Sequence, residues 1–459
     1  MRHITQTTLP TSPNRLSKYA IWLRDHRQVL QYLQWGIVVV YLFLLLIPLL
    51  LPLPERINTI FDHLTLTAQW AFWGVWWPFV LLSIVVAGRT WCGLFCPEGT
   101  LTEWASRHGK GKAIPRWVRW SGWPLTAFCL TTIYGQLISV YQYPAAAALV
   151  LGGSTVAAMI VGWLYGRERR VWCRYLCPVT GVFALLAKLA PWHYRVDAHR
   201  WREPTHNKNP IVCAPLLPLR HMTSASDCHM CARCQDYRGA IQFSARSCNA
   251  EILYQPTQNA WQTYLIVFGL MGLAPGAFQW SQSTALVEFK QSLAYWLIEH
   301  DIVWPLHDNA PWFILTHYPA LNDSLNWLDG LVMLLYMVLA ALGFGVWLLC
   351  HLQLAKSLLK RTLSIHKLAQ GLIPLAGAGV FIGLSATTLS LLKPYPIATA
   401  ALQYLRIGVL SGAILWSIYL LWTLTKQSHV HSLRRLIARI VLIIGAVPSI
   451  VFWARFLIG

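Results

Sequence analysis

The sequence predicts an all-α polytopic membrane protein of about nine transmembrane helices, with a small cytoplasmic segment between the fourth helix and the fifth. Three observations support this fold class. The 459 residues are 56% hydrophobic. Only 12% of them are charged, which is about half the share found in soluble domains. The basic residues gather in alternate loops between apolar stretches, as they do in membrane proteins.

Nine stretches come close to the length of about 20 apolar residues that a helix needs to cross a bilayer. They lie near residues 34–53, 70–87, 121–141, 146–165, 261–279, 329–350, 369–391, 401–424 and 437–457. Only a tight turn at Tyr141-Gln-Tyr-Pro144 separates the third stretch from the fourth. We therefore expect four helices before the cytoplasmic segment and about five after it.

The orientation follows from where the basic residues lie. Of the 37 lysines and arginines, 32 fall in the segments 1–33, 88–119, 166–259, 351–368 and 425–439. Cytoplasmic loops carry such an excess, so we expect the N-terminus and these segments in the cytoplasm, and nine helices would place the C-terminus outside. The same distribution accounts for the net charge of +20 and argues against nucleic-acid binding, which needs one contiguous basic face. The first residues contain no apolar run, so we expect no cleavable signal peptide.

These patterns divide the chain into four predicted parts. They are a cytoplasmic N-terminal segment (1–33), a four-helix membrane unit (34–187), a cytoplasmic cysteine-bearing segment (188–259) and a C-terminal membrane region (260–459) with an external loop near 280–328. The tryptophans of that loop are typical of residues that anchor a protein at the membrane interface. Glycine pairs at four-residue spacing, Gly379/Gly383 and Gly408/Gly412, predict close helix packing.

A cysteine motif occurs twice, at the predicted cytoplasmic ends of the second and fourth helices. The copies are Arg89-Thr-Trp-Cys92-Gly-Leu-Phe-Cys96-Pro97 and Arg170-Val-Trp-Cys173-Arg-Tyr-Leu-Cys177-Pro178. Cysteines four residues apart share one face of a helix, and proline suits the first turn of the helix that follows. We expect the arginines around the motifs to be positive-inside anchors that can also offset negative charge.

The four cysteines of this repeat have three candidate roles. They could hold an iron–sulfur cluster, act as redox-active or transiently metal-binding thiols, or be structural. We expect Cys129 and Cys350, which lie within or at the end of apolar stretches, to be small hydrophobic residues.

The segment 188–259 contains the sequence Cys228-His-Met-Cys231-Ala-Arg-Cys234. Bacterial ferredoxins use three cysteines at this spacing for a [4Fe–4S] cluster and take the fourth ligand from elsewhere in the chain. Cys213-Ala-Pro215 matches the end of an earlier run of that kind, so Cys213 is the predicted fourth ligand, with Cys248 as the alternative. The segment is thus a predicted ferredoxin-like iron–sulfur segment with one [4Fe–4S] cluster.

Two further points bear on this segment. A zinc site with four cysteine ligands is an alternative, but structural zinc usually uses two separated C-x2-C pairs, so the spacing favours iron–sulfur. Two histidines, His221 and His229, lie near the cysteines. We expect both to be solvated loop residues and not ligands.

The first 250 or so residues resemble the membrane-bound 4Fe–4S polyferredoxin family. This family includes membrane iron–sulfur proteins of the NapH type and the C-terminal half of those of the NosR type. The resemblance rests on the repeated Cys-x3-Cys-Pro motif and on the ferredoxin-like run that follows it. It implies electron transfer at a bacterial-type cytoplasmic (inner) membrane, often between quinol or flavin and a periplasmic reductase. Residues 260–459 lie outside the resemblance.

Together these features predict a membrane-bound [4Fe–4S] electron-transfer protein. Electrons would pass between a membrane or cytoplasmic donor and a respiratory or reductase partner, and the expected partners are the lipid bilayer and either a quinone or a redox protein. The alternative is a redox accessory, assembly or regulatory membrane protein for a metalloenzyme. The sequence contains no phosphate-binding, zinc-protease or dinucleotide motif, so we expect an electron carrier without a self-contained catalytic site.

Overall fold

Helices dominate the fold, which confirms the predicted class. The structure, a computed structural model, describes residues 15–55, 57–203, 211–256 and 259–458. The described residues form two small two-stranded antiparallel sheets, Trp192–Val196 with Ile241–Ala245 and His317–Tyr318 with Asp323–Ser324. The first 14 residues of the predicted N-terminal segment lie outside the described part.

Eight helices in the described residues are long and apolar enough to cross a membrane. They are Arg27–Leu50, Leu64–Ala87, Pro144–Tyr165, Ala260–Gln282, Trp327–Leu358, Ile373–Leu391, Pro396–Lys426 and Ser432–Ile458. The remaining predicted stretch, 121–141, forms the 15-residue helix Trp123–Leu137. At 1.5 Å per residue this helix is about 22 Å long, shorter than the hydrocarbon core of about 30 Å. The protein is therefore a multi-pass membrane protein.

Shorter helices connect these spans. They are Arg15–Asp25, Pro97–Arg107, Val171–Tyr175, Thr180–Leu189, Ala250–Tyr254, Thr284–Glu299 and Ile365–Gln370.

The chain divides into two compact units that alternate along the sequence. Of the described residues, one unit contains those that fall within 1–44, 79–124 and 154–257 and therefore every cysteine that the sequence predicts as a ligand. The other contains the described residues within 45–78, 125–153 and 258–459. Three membrane-spanning helices, Arg27–Leu50, Leu64–Ala87 and Pro144–Tyr165, contain a boundary between the units. The boundary at 257 lies two residues before the predicted one at 259, whereas no unit boundary lies at 33 or 187.

In the cysteine-bearing unit, a short N-terminal helix covers the ferredoxin-like segment. The Arg15–Asp25 helix buries Ser17, Ala20 and Leu23. Its Ala20 belongs to a core cluster that also contains Cys228 and Met230. The same cluster includes residues of the two-stranded sheet Trp192–Val196 and Ile241–Ala245. This sheet and the helix together form a base for the cysteine loop.

The second unit is a bundle of the C-terminal spans, and one of the two predicted glycine pairs packs closely in it. A Cβ atom added to Gly379 would lie 2.4 Å from Trp453 Nε1, and one added to Gly383 would lie 2.4 Å from Phe278 Cδ2. At Gly408 and Gly412, in contrast, an added Cβ would meet no described atom within 4 Å.

The predicted external loop, also in this unit, is a helix followed by irregular chain. The Thr284–Glu299 helix is capped by Ser283 and packs Leu297 against Leu328 and Val332. Its Lys290 pairs with Asp329 at 2.8 Å. Trp296 and Trp304 are 48% and 63% exposed, and the interfacial anchoring predicted for them stays a prediction.

Candidate iron–sulfur site

The two copies of the cysteine repeat have the same backbone turn. The N–H of Cys96 donates to the carbonyl of Trp91 at 2.9 Å, and the N–H of Cys177 donates to the carbonyl of Trp172 at 3.0 Å. Both bonds reach back five residues, one more than in an α-helix, and such widened turns are frequent at functional sites. In the first copy Pro97 then begins the Pro97–Arg107 helix, as the sequence predicts.

The arginine that opens each copy crosses to the other copy. Arg89 Nη2 donates to Thr180 Oγ1 at 2.8 Å, and that hydroxyl donates to the carbonyl of Cys173 at 2.8 Å. Arg170 Nη1 donates to the carbonyl of Cys92. Both arginines are only 2% exposed, so they are buried links between the copies as well as the charges that the sequence analysis expected near the motifs.

The cysteines of the repeat lie close enough to influence one another electrostatically. Burial raises the pKa of Cys96 well above its usual range, and the charges of Cys173 and Cys92 raise it further. The pKa of Cys177 is also raised, by burial and then by Glu98, Cys173 and Cys96. Burial raises the pKa of Cys173 to about 12. Together with the arginine hydrogen bonds between the copies, these electrostatic effects place the four cysteines near one another.

The cysteine run of the ferredoxin-like segment forms a tightly curled loop. Met230 and Ala232, which alternate with the cysteines, have φ values of +55° and +59°. Such left-handed conformations are unfavourable for residues other than glycine and tend to occur at functional sites. They allow Cys228, Cys231 and Cys234 to share one loop.

The predicted fourth ligand, Cys213, acts on the same set. Burial raises the pKa of Cys228 to about 12, and the charges of Cys231 and Cys213 contribute to the rise. The pKa of Cys234 is raised by burial and then by Cys228, Cys231 and Cys213. Cys213 is therefore close to the loop cysteines although it lies 15 residues before the first of them.

The alternative ligand, Cys248, follows in sequence the two-stranded sheet that supports the loop. It follows the Ile241–Ala245 strand, and the Ala250–Tyr254 helix begins two residues later. The neighbouring Arg246 donates to carbonyls at Ala187 and Ala190, which are not part of either cysteine set.

The loop and the repeat touch through their backbones. A Cβ atom added to Gly93 would lie 1.9 Å from the carbonyl oxygen of His229 and 3.1 Å from the N atom of Cys231. Because the approach is so close, only a residue without a side chain permits it. Gly93 follows Cys92 directly. The two cysteine sets are therefore neighbours within one compact unit.

A buried carboxylate joins the repeat to the loop. Glu103 accepts from Arg170 Nε at 2.9 Å and also from Arg233 Nη2. Arg233 lies between Cys231 and Cys234. Burial alone would raise the pKa of Glu103, but the two guanidinium groups outweigh it and lower the pKa to about 2. The sequence does not distinguish Glu103, which is one of two carboxylates, with Glu98, in a basic segment.

A second carboxylate holds the chain just before the loop. Glu251 accepts from the N–H of Ala225 at 3.0 Å and from Ser226 Oγ at 3.1 Å, and it pairs with Arg246 at 2.5 Å. Arg89 Nη1 donates to the carbonyl of Ser226 at 3.1 Å. Cys228 therefore follows a short segment that is fixed on two sides.

The loop histidine differs from its prediction. His229 is 1% exposed, so it is buried and not solvated, whereas His221 is exposed as expected. Neither ring nitrogen of His229 has a hydrogen-bond partner among the described residues. Burial and the charges of Arg89, Arg170, Arg174 and Arg233 lower its pKa well below the usual range.

These features fit a bound iron–sulfur cluster. Buried N–H groups without a protein acceptor, at His229 and at Arg89 Nε, lie beside the cysteines, and the sulfur atoms of a cluster accept such hydrogen bonds. Among the described residues, no three histidine, cysteine, aspartate or glutamate side chains gather closely enough to hold a single metal ion. A four-iron cluster requires a wider arrangement of its ligands than one ion does.

Comparison with known proteins shows what the cysteine repeat is similar to. A family model described as a 4Fe-4S binding domain matches residues 69–115 and 148–196. These stretches contain all four cysteines of the repeat and end before Cys213. The repeat is therefore similar to a 4Fe–4S binding domain, and this match confirms the predicted iron–sulfur cofactor.

One relative is more specific. The chain is 24% identical to the regulatory protein NosR of Pseudomonas aeruginosa over 186 residues, which is 35% of this chain and 25% of the relative. The match thus spans only a quarter of the relative's length. No solved structure matches the chain. The findings support a membrane iron–sulfur protein with an electron-transfer or redox accessory role.

Proposed function

We propose that the protein is a membrane-bound electron carrier with two [4Fe–4S] clusters. The ligands of one are Cys92, Cys96, Cys173 and Cys177, and those of the other are Cys213, Cys228, Cys231 and Cys234. The observation that carries this proposal is the backbone contact between Gly93 and His229, which makes the two cysteine sets neighbours. The family match on the repeat supports a cluster there.

The surrounding residues prepare both sets for one-electron chemistry. When bound, a [4Fe–4S] cluster takes up or gives up a single electron. The protein's part is to supply thiolate ligands, exclude water and place charges. Burial of the cysteines excludes water. The arginines Arg89, Arg170 and Arg233 offset the negative charge that four thiolates would bring to each set.

We further propose that electrons pass between a membrane or cytoplasmic donor and a respiratory or reductase partner. The donor would be a quinone or a redox protein. We place the N-terminus and both cysteine sets on the cytoplasmic side of a bacterial-type cytoplasmic membrane, because the excess of lysine and arginine in the segments that contain them supports this orientation.

Quantification of iron and acid-labile sulfide in anaerobically purified protein tests the cluster assignment. Wild type should contain about eight irons per chain, and Cys92→Ala and Cys213→Ala should each contain about four, since each removes one ligand of one four-iron cluster. Cys248→Ala and Cys350→Ala are matched controls and should retain about eight. Full loading of Cys213→Ala together with loss in Cys248→Ala would transfer the fourth ligand to Cys248.

A second candidate function is a redox accessory or regulatory role for a metalloenzyme. It is favoured by the relative, whose name describes it as a regulatory protein. If the protein is an electron carrier, a strain that lacks it should show slower steady-state turnover of the partner enzyme, even when that enzyme is fully matured. An accessory protein would instead reduce the amount of mature enzyme and leave the turnover of each mature molecule unchanged.

A further inference from the structure

His229 occupies a position that links the two cysteine sets. Its backbone belongs to the ferredoxin-like loop, directly after Cys228. Its carbonyl oxygen meets Gly93 of the first repeat copy, where no side chain intervenes. The residue is therefore bonded to one set through the chain and packed against the other.

The environment of the ring is incomplete without a hydrogen-bond acceptor. The imidazole is buried, and both nitrogens lack partners among the described residues. A buried N–H without an acceptor destabilises the folded protein, so the site needs an acceptor near this ring.

The neighbours of the ring narrow the choice of acceptor. The charges that act on it most strongly are those of Arg89 and Arg170. Guanidinium groups donate hydrogen bonds and cannot accept them. Both arginines also belong to the repeat, where Arg170 bonds the carbonyl of Cys92 and the charge of Cys92 acts on Arg89. The acceptor most consistent with these neighbours is a sulfur atom held by the repeat.

We propose that the ring N–H of His229 donates a hydrogen bond to a sulfur of the repeat's iron–sulfur cluster and that this residue forms the electron path between the two clusters. The path runs from Cys228 through one peptide bond to the imidazole. With both clusters bound, His229 would carry a single electron between them without any bond being formed or broken, and its ring would retain its proton. This inference rests on the proposed two-cluster function.

The test uses the full-length protein in detergent, prepared anaerobically, with His229→Leu as the variant and His221→Leu as the matched control. Iron and sulfide are measured first, and both variants should retain about eight irons. Redox titration followed by EPR should then show one of the two midpoint potentials at a lower value in His229→Leu, because a hydrogen bond to sulfur stabilises the reduced, more negative cluster. Electron transfer between the clusters should slow several-fold in this variant, and neither quantity should change in His221→Leu.

The outcomes separate this inference from the proposed function. Wild type with only about four irons would contradict the two-cluster function itself. A fully loaded His229→Leu protein with unchanged potentials and unchanged transfer rate would overturn the role of His229 alone. The amide of His229→Gln retains an N–H donor, so this variant should keep both potentials close to those of wild type even if His229→Leu fails to load. A fully loaded His229→Gln protein with the same lowered potential as His229→Leu would overturn the hydrogen bond.

A measurement on wild type keeps the inference testable if no variant loads. Protein with ¹⁵N-labelled histidine should show a nitrogen hyperfine coupling to the reduced cluster of the repeat in pulsed EPR. Absence of any histidine coupling in fully loaded wild type would overturn the hydrogen bond and with it the electron path.

Discussion

The Nε atom of Arg170 donates to Oε2 of Glu103 at 2.9 Å, and both side chains are almost completely buried. Arg170 opens the second copy of the cysteine repeat, whereas Glu103 lies on the helix that follows the first copy. The carboxylate also bonds Arg233 of the ferredoxin-like loop. One carboxylate therefore joins three segments that are distant in sequence and that all carry predicted cluster ligands.

Replacement of Glu103 by glutamine should destabilise the cysteine-bearing unit. Removing one partner of a buried ion pair leaves the other charge uncompensated and typically costs about 3–5 kcal/mol. Two arginines, Arg170 and Arg233, would lose their counter-charge here. We expect a lower thermal midpoint by differential scanning fluorimetry and a lower iron content. Glu168→Gln, at an exposed position two residues before Arg170, is the matched control and should melt like wild type.

The stability difference between wild type and Glu103→Gln should depend on pH in one direction only. Because the pKa of Glu103 is lowered to about 2 in the folded protein, from an ordinary value of about 4.3, its contribution is present above the ordinary pKa and is lost as pH falls towards 2. The difference in thermal midpoint should therefore stay constant from pH 8 to pH 5 and narrow only below about 4.3. A change near pH 6.5 would indicate that a histidine, not Glu103, governs the effect.

Gly93→Ala should separate the loop from the repeat. The added methyl group would meet the carbonyl oxygen of His229 at 1.9 Å, a backbone atom that cannot rotate away. Overpacking of this kind typically costs about 1–3 kcal/mol. We expect loss of iron and sulfide and a lower thermal midpoint. Gly36→Ala is the control, because a Cβ atom there meets nothing within 4 Å. Equal iron content in the two variants would contradict the proposed contact between the cysteine sets.

The fold was largely predictable because apolar length and the distribution of basic residues are local properties of the sequence. Eight of the nine predicted stretches correspond to long apolar helices. The third does not reach the usual length, because its helix ends at Leu137 and the tight turn before Pro144 begins there. The short N-terminal helix was missed, since its burial depends on a partner that lies about 200 residues further along the chain.

The sequence predicts which cysteines are candidate ligands but not how they are arranged. Cysteine spacing indicated two sets, because a cluster requires particular residues at particular separations. No spacing rule indicates that Gly93 contacts His229. Nor does one indicate that Arg89 and Arg170 each form hydrogen bonds with the other copy of the repeat. These contacts join distant parts of the chain. The burial of His229 was missed for the same reason, since a loop histidine is usually solvated and only the packed repeat encloses this one.

Labelling of single cysteines should establish the orientation of the membrane helices. The long helix Trp327–Leu358 separates the external loop from the basic segment 351–368, so Asp308 and Ser357 should lie on opposite sides of the membrane. In a Cys350→Ser background, which retains ten native cysteines, a membrane-impermeant maleimide added to spheroplasts should label Asp308→Cys above the Cys350→Ser parent and should not label Ser357→Cys above it. Lysis should raise the labelling of Ser357→Cys above that of the lysed parent. Both positions are exposed, so a failure to react reflects the membrane and not burial in the protein. The reverse pattern would place the basic segments outside and would contradict the cytoplasmic location proposed for the cysteine sets.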